Sequence, residues 1–278
     1  MTFNDLRWQI VHFLDKLRVI GVLSNWPEAF WARLSGSRRN LRVRLRQGYE
    51  AVVRPWDCDI GIITKLFWGG KKQGGGGYGV YLARLSEESV IVDIGANIGA
   101  FSLYAAWKLP KSRIFAYEPG PDNYRFLCEN IRLNSLSARV TAFPLAVGGQ
   151  NGEQMFNINK TRSVDHGFYS SSNCSGAIPV PVVTLEKVFR DNSLNTVDLL
   201  KLDCEGAEFE IFRNAPEPIL CKVSALSMEV HEHLGIGTME ELATLLRESD
   251  FTVIVKPFVP GLGYLHASRA HYGYKFQG

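Results

Sequence analysis

The chain has 278 residues, 46% apolar and 21% charged, the balance of a globular protein able to bury a sizeable core. Its formal net charge of +3 gives no bulk attraction to nucleic acid, and no apolar run approaches the roughly 20 residues of a membrane span. The five cysteines have no metal-ligand spacing and read as reduced thiols, and Asp5, Asp15 and Lys16 break the apolar N-terminus where a signal peptide would be continuous, so a cytoplasmic protein is expected.

Residues 1–36 read as helical, with Leu6, Ile10, Leu14, Leu17 and Gly21 on one face. That face either packs on the main domain or makes a peripheral contact with a membrane surface or a partner. Leu41, Val43 and Leu45 then alternate with Arg42, Arg44 and Arg46, and a Gln-Gly turn leads into a second strand, Ala51–Val53. The arginine face is either simply solvated or suits an anionic sugar or phosphate acceptor; no nucleic-acid motif accompanies it. Trp68–Tyr81 is glycine-rich but lacks the Gly-Lys-Ser/Thr ending of a phosphate loop, leaving a connector or a lid.

From residue 88 strands and helices alternate. Strands are expected at Ser89–Ile94, Arg113–Tyr117, Val140–Val147, Val197–Asp203, Lys222–Val230 and Phe251–Lys256. Helices are expected at Ile98–Lys108, Asp122–Asn134, Ala207–Arg213 and Met239–Ser249. Gly148–Ala177 reads as a polar, irregular insertion before an edge strand, Pro179–Val183. The alternation predicts an α/β fold, a mostly parallel sheet covered on both faces, with ligands at the carboxyl ends of its strands. Residues 1–60 are expected as a helix-and-hairpin extension and 61–278 as the main domain.

The first core strand runs into Asp93-Ile94-Gly95-Ala96-Asn97-Ile98-Gly99. A dinucleotide turn has the spacing G-x-G-x-x-G; here the glycines are four apart and an acid precedes them. A pyrophosphate about 4 Å from Asp93 would cost on the order of 4 kcal/mol at an effective dielectric of 20. The turn better suits a ligand with a cationic group, and S-adenosylmethionine carries both an ammonium and a sulfonium. Gly95 lets such a ligand lie against the backbone. Glu118, ending the next strand in "IFAYEPG", is placed to accept both ribose hydroxyls.

"VIVDIGANIGAFSLYAA", "IFAYEPGPDNYRFLCENIRLN", "PLAVGGQNGE", "PVVTLEKVF" and "VDLLKLDCEGAEFEIF" occur in the order seen in FkbM-type S-adenosylmethionine-dependent methyltransferases, and residues 50–260 resemble that family. The resemblance implies a class I, Rossmann-like sheet of seven strands, the last antiparallel. It implies cofactor contacts at Asp93, Gly95, Asn97, Gly99 and Glu118, with Ala96, Pro119, Ala146 and Asp203 completing the expected wall. Asn130 and Asn134 match family asparagines, with helix-end capping as the alternative role.

Methyl transfer to a hydroxyl needs alignment and removal of a proton. "KLDCEGAEF" supplies Lys201, Asp203, Glu205 and Glu208, and alternation puts Lys201 and Asp203 on one side, so a Lys201–Asp203 pair is expected. "LSMEVHEHLG" supplies Glu229 and His231, the histidine being a natural base near neutral pH. Catalytic roles are assigned to Asp203, Glu229, His231 and Lys201, and acceptor contacts to Glu205, Phe168 and Tyr169. Asp203, Glu229 and His231 would have to come from separate loops to hold a metal, and none is expected. The expected activity is O-methylation of a sugar, polysaccharide or related hydroxyl, on a small-molecule or glycan acceptor. The alternatives are a nicotinamide oxidoreductase and a non-catalytic scaffold.

Overall fold

Period-two burial divides the core into two. Ile91, Ile114, Ala116, Leu199 and Ala225 belong to one buried cluster, and their neighbours Val92, Phe115, Tyr117, Leu200 and Leu226 belong to another. A strand apolar at every position must be covered on both faces, as the alternating sequence predicts. The computed structural model describes residues 17–68, 77–78, 81–82, 84–159, 166–169 and 176–269. Leu6, Ile10 and Leu14 lie outside them, as does most of the glycine-rich loop.

Residues 17–22 are helical, and α1 (Trp26–Leu34) follows after a break at which Leu23 bridges to Leu45. The break ends the single long face expected here: Leu17 is 37% exposed, while Val19, Val22 and Leu23 are buried. β1 (Leu41–Arg44) and β2 (Glu50–Val53) form the expected hairpin, and α2 (Asp59–Phe67) follows. Arg42 pairs with Glu50 across the hairpin, so its arginine face answers its own strand.

The hairpin is tied to the main body by two asparagines. Asn130 accepts from the Val52 N–H (2.7 Å) and donates to the Val52 and Ile98 carbonyls (3.3 and 2.9 Å). Asn134 does the same for the two backbone groups of Glu50 (2.9 and 2.7 Å). Two side-chain amides thus satisfy the backbone groups of the hairpin, and Asn134, the C-terminal cap residue of the helix that ends at Leu133, also donates to the Asn130 carbonyl (2.7 Å), so it caps the helix end as well.

The main sheet contains β3 (Val90–Ile94), β4 (Arg113–Tyr117) and β5 (Val140–Phe143), with α3 (Ala100–Lys108) and α4 (Pro121–Leu133) between them. The next region holds β6 (Ala146–Gly148), β7 (Gly152–Ile158), β8 (Gly176–Thr184) and α5 (Leu185–Asp191). The main sheet resumes with β9 (Leu199–Leu202), then α6 (Ala207–Asn214), α7 (Glu217–Leu220), β10 (Ala225–His231), α8 (Met239–Glu248), β11 (Phe251–Val259) and β12 (Leu262–Arg269). Its seven strands run β11-β12-β10-β9-β3-β4-β5, with β12 antiparallel to both neighbours and the inner pairs parallel. The strand order reverses between β3 and β9, so their carboxyl ends open a crevice.

Three expectations are corrected. Val140–Val147 is two strands in two sheets, because Pro144 cannot donate to the ladder and breaks the run between Phe143 and Ala146. The insertion contains β7, paired antiparallel to β8; it buries only Phe156 fully, so it carries no alternating signal. Pro179–Val183 belongs to the middle strand of that second sheet, and its prolines precede the short stretch, Val182–Thr184, that β6 covers. The chain beyond Lys256, where no element is expected from the sequence, supplies β12.

Candidate active site

The turn after β3 is built around one close approach. A Cβ on Gly95 would sit 1.8 Å from the Asp203 carbonyl oxygen, and Gly95 has φ +73°. Only glycine lets the ends of β3 and β9 meet this closely. The Gly95 and Ala96 N–H groups both donate to the Tyr117 carbonyl at 3.0 Å, and Asn97 turns the chain with φ +51°. The Asn97 N–H then donates to Glu118 Oε2 (2.8 Å) and the Gly120 N–H to Oε1 (2.9 Å). Glu118 is only 4% exposed, and burial outweighs these hydrogen bonds, pushing its pKa up to about 7.

A pocket of about 430 Å³ opens beside this turn. Gly95, Ala96, Asn97, Glu118, Pro119, Ala146 and Asp203 all line it, as do Phe168 and Glu205. Three expected contacts do not reach it. Gly99 holds φ +85°, and a Cβ there would meet Leu127 Cδ1 at 2.7 Å, so it serves the packing of α3 on α4. Tyr169 turns away and donates to Glu210 Oε1 (2.6 Å). Asp93 is fully buried behind the wall.

Asp93 overturns the electrostatic expectation. In the β3–β9 register it lies directly beside Lys201, whose Nζ is 3.0 Å from Asp93 Oδ1, while Ser102 donates to Oδ2 (2.7 Å). Its charge is compensated inside the protein and faces no ligand. Lys201 therefore pairs with Asp93 and not with Asp203, and also donates to the Gly95 carbonyl (2.8 Å). Burial opposes the ammonium, but Asp93 and Asp203 together outweigh it and raise the lysine pKa. The pair holds the β3 turn in place.

A second group of acids lies at the ends of β9 and β10. Asp203, Glu205, Glu229 and His231 all line the pocket: Glu229 and His231 alternate on β10, while Asp203 and Glu205 follow the end of β9, Glu205 in a turn with φ +52°. Tyr78 donates to Glu229 Oε2 (2.9 Å), and the Tyr264 ring packs edge-on to Tyr78, 5.3 Å between centroids. Burial, with the Asp203 charge next, raises the Glu229 pKa. Burial also lifts Glu205 to about 8.

His231 is not the neutral base expected. Its Nδ1 lies 2.8 Å from Glu208 Oε1, and its Nε2 lies 3.4 Å from Glu205 Oε2. Burial opposes its charge, but the Glu208 hydrogen bond and the flanking carboxylates win and carry its pKa to about 10. A histidine that keeps its proton at neutral pH cannot take one from a substrate, so in this structure base chemistry falls to the carboxylates.

Sequence reasoning passed over Tyr78, Tyr264 and His166 as site residues and assigned Glu208 no role. Glu208 stands in the first turn of α6, where an acid reads as a helix-end charge; its partner comes from β10. Tyr264 lies on the unassigned β12. His166, in the insertion, lines the pocket with Nε2 donating to the Asn159 carbonyl (2.9 Å) and Nδ1 buried without a partner.

The sequence model described as "Methyltransferase FkbM domain" matches residues 93–253. The chain is 29% identical over 207 residues to the methyltransferase sdnD of Sordaria araneosa, covering 62% of this chain and 77% of that protein. It is 25% identical over 184 residues to the hexuronic acid methyltransferase AglP of Haloferax volcanii, covering 62% of this chain and 72% of that protein. Among solved structures, a methyltransferase FkbM from Methylobacillus flagellatus shares the fold with a TM-score of 0.50 at 17% identity, over 68% of this chain and 46% of that one. The chain thus spans less than half of that solved chain.

Proposed function

The chain belongs to the FkbM-domain methyltransferase family, and from that premise we propose that it moves the methyl group of S-adenosylmethionine onto a hydroxyl of a neutral sugar or sugar-bearing natural product. Family membership sets aside the nicotinamide alternative. The residues present fit the methyl donor: Asn97 Oδ1 is buried on the pocket wall without a partner, beside the buried Glu118 carboxyl. Glu118 would take the ribose hydroxyls, and Gly95 and Ala96 would pass the methionine part along the backbone. When bound, the cofactor supplies a methyl group on a sulfonium, already a good leaving group.

The protein's own contribution is electrostatic and positional. Asp203, Glu205 and Glu229 give the pocket wall an acidic character, suited to a cation and hostile to an anionic acceptor. Tyr78, Tyr264 and Phe168 offer ring faces and hydroxyls of the kind that bind a sugar. AglP is named for a hexuronic acid, which supports the sugar class; the acidic pocket favours an uncharged ring. Glu229 would accept the proton of the acceptor hydroxyl, and Tyr78 holds its carboxylate in place. The observation that carries the reading is that Asp203, Glu205 and Glu229 line the same pocket as the buried Glu118.

The test is transfer of a labelled methyl group from S-adenosylmethionine to a panel of neutral and acidic sugars. Transfer to a neutral member is expected. Glu229→Gln should lower kcat by about 10²–10⁴-fold while leaving affinity for S-adenosylhomocysteine unchanged. Transfer only to acidic sugars, or an undiminished Glu229→Gln enzyme, would overturn the acceptor class and the base respectively.

A further inference from the structure

We propose that Asp203, Glu205 and His231 form a binding site for one divalent metal ion of the Mn²⁺ or Mg²⁺ kind, with Glu208 as the residue that orients the histidine. One ligand atom from each of the three lies within 4.8 Å of the others. Ligands around one six-coordinate ion stand about 3 Å apart when adjacent and about 4.2 Å apart when opposite, so small side-chain rotations close the site. Two carboxylates and an imidazole are an oxygen-rich donor set of this preference.

The histidine points to a ligand independently of the acids. His231 is 3% exposed, and among the described residues its Nε2 makes no hydrogen bond; the nearest group is Glu205 Oε2 at 3.4 Å. Its other nitrogen is held by Glu208, itself fully buried and absent from the pocket wall. A carboxylate that fixes one imidazole nitrogen while the other faces two further carboxylates is the arrangement that sets a metal-binding histidine. On binding, the ion takes the Nε2 position, the proton there leaves to water, and the neutral ring keeps its Nδ1 hydrogen donated to Glu208.

Three protein ligands leave open positions toward the pocket, which is where an acceptor must sit. Two adjacent hydroxyls of a sugar could fill two of them, and an ion bound to a hydroxyl lowers its pKa and fixes its direction. The favoured acceptor is therefore a vicinal diol. The ion's role in transfer rests on the methyltransferase reading above; its binding does not.

The test is titration of the chelator-treated full chain with Mn²⁺ alone, without methyl donor or acceptor, following free Mn²⁺ by electron paramagnetic resonance. One ion per chain is expected. Asp203→Asn and Glu205→Gln should abolish that binding, and Glu208→Gln should weaken it about 10- to 100-fold although Glu208 does not reach the pocket. Glu118→Gln, which changes a pocket carboxyl outside the three ligands, should leave it unchanged. Glu205 is partly exposed, and thermal melting confirms which variants are folded, so loss of binding in a folded Glu205→Gln is decisive. No stoichiometric binding by the wild-type chain, or binding indifferent to Glu205→Gln and Glu208→Gln, would overturn the site. Methyl transfer that persists in excess chelator would overturn its role in the reaction while leaving the methyltransferase reading intact.

Discussion

Replacing Glu118 by glutamine separates charge from shape at the buried carboxyl proposed to hold the ribose. Burial raises this carboxyl from an ordinary 4.5 to about 7, an energetic cost of about 3 kcal/mol for keeping it ionised in the empty protein. The sign follows from proton linkage. The folded state holds the proton more tightly than the unfolded state, so the group's contribution to stability is present below pH 4.5 and lost as the pH rises through about 7. Stability of Glu118→Gln relative to wild type should therefore improve by up to about 3 kcal/mol between pH 4.5 and pH 8, read by urea denaturation at each pH. Binding should move the other way. About one carboxylate in ten is ionised at pH 6 and about nine in ten at pH 8, so wild-type affinity for S-adenosylhomocysteine should rise about tenfold across that range. The variant, lacking the charge, should bind about 10- to 100-fold more weakly at pH 8 and show a flatter profile by calorimetry. Parallel pH profiles for the two proteins, in stability and in binding, would refute the assignment of Glu118 as a buried, ribose-accepting carboxylate.

Lys201→Met strands the buried Asp93 charge and should cost about 3–5 kcal/mol in urea denaturation, most of it recovered in the double variant with Asp93→Asn. A double variant as unstable as the single one would show that the ion pair is not what holds the β3 turn. Asn130→Ala removes three hydrogen bonds to the Val52 and Ile98 backbone and should cost about 3 kcal/mol. Faster amide exchange at Val52, with unchanged methyl transfer per folded molecule, would mark Asn130 as a structural tie between β2 and α4.

Local chemistry made much of this molecule readable from residue types alone. Strands β3, β4 and β10 announce themselves because a strand covered on both faces needs apolar residues throughout, and α4 and α8 because one stripe of each helix is buried. Gly95 reads as a ligand cradle, and what requires glycine there is a carbonyl from another strand, Asp203, at a distance no side chain could tolerate. β7 was illegible because backbone pairing with β8 and one buried phenylalanine suffice to hold it, which leaves no periodic pattern.

By itself the sequence determined the α/β class, the acidic turn after β3 and the set of residues from which a site had to be assembled. Only the tertiary structure decided which charges cancel. Asp93 carries the same formal charge as Asp203, but strand register sets Lys201 beside the first, and the chain's path sets Glu205 and His231 beside the second. Charges interact through space and through the dielectric around them, and neither is written in the order of residues along a chain.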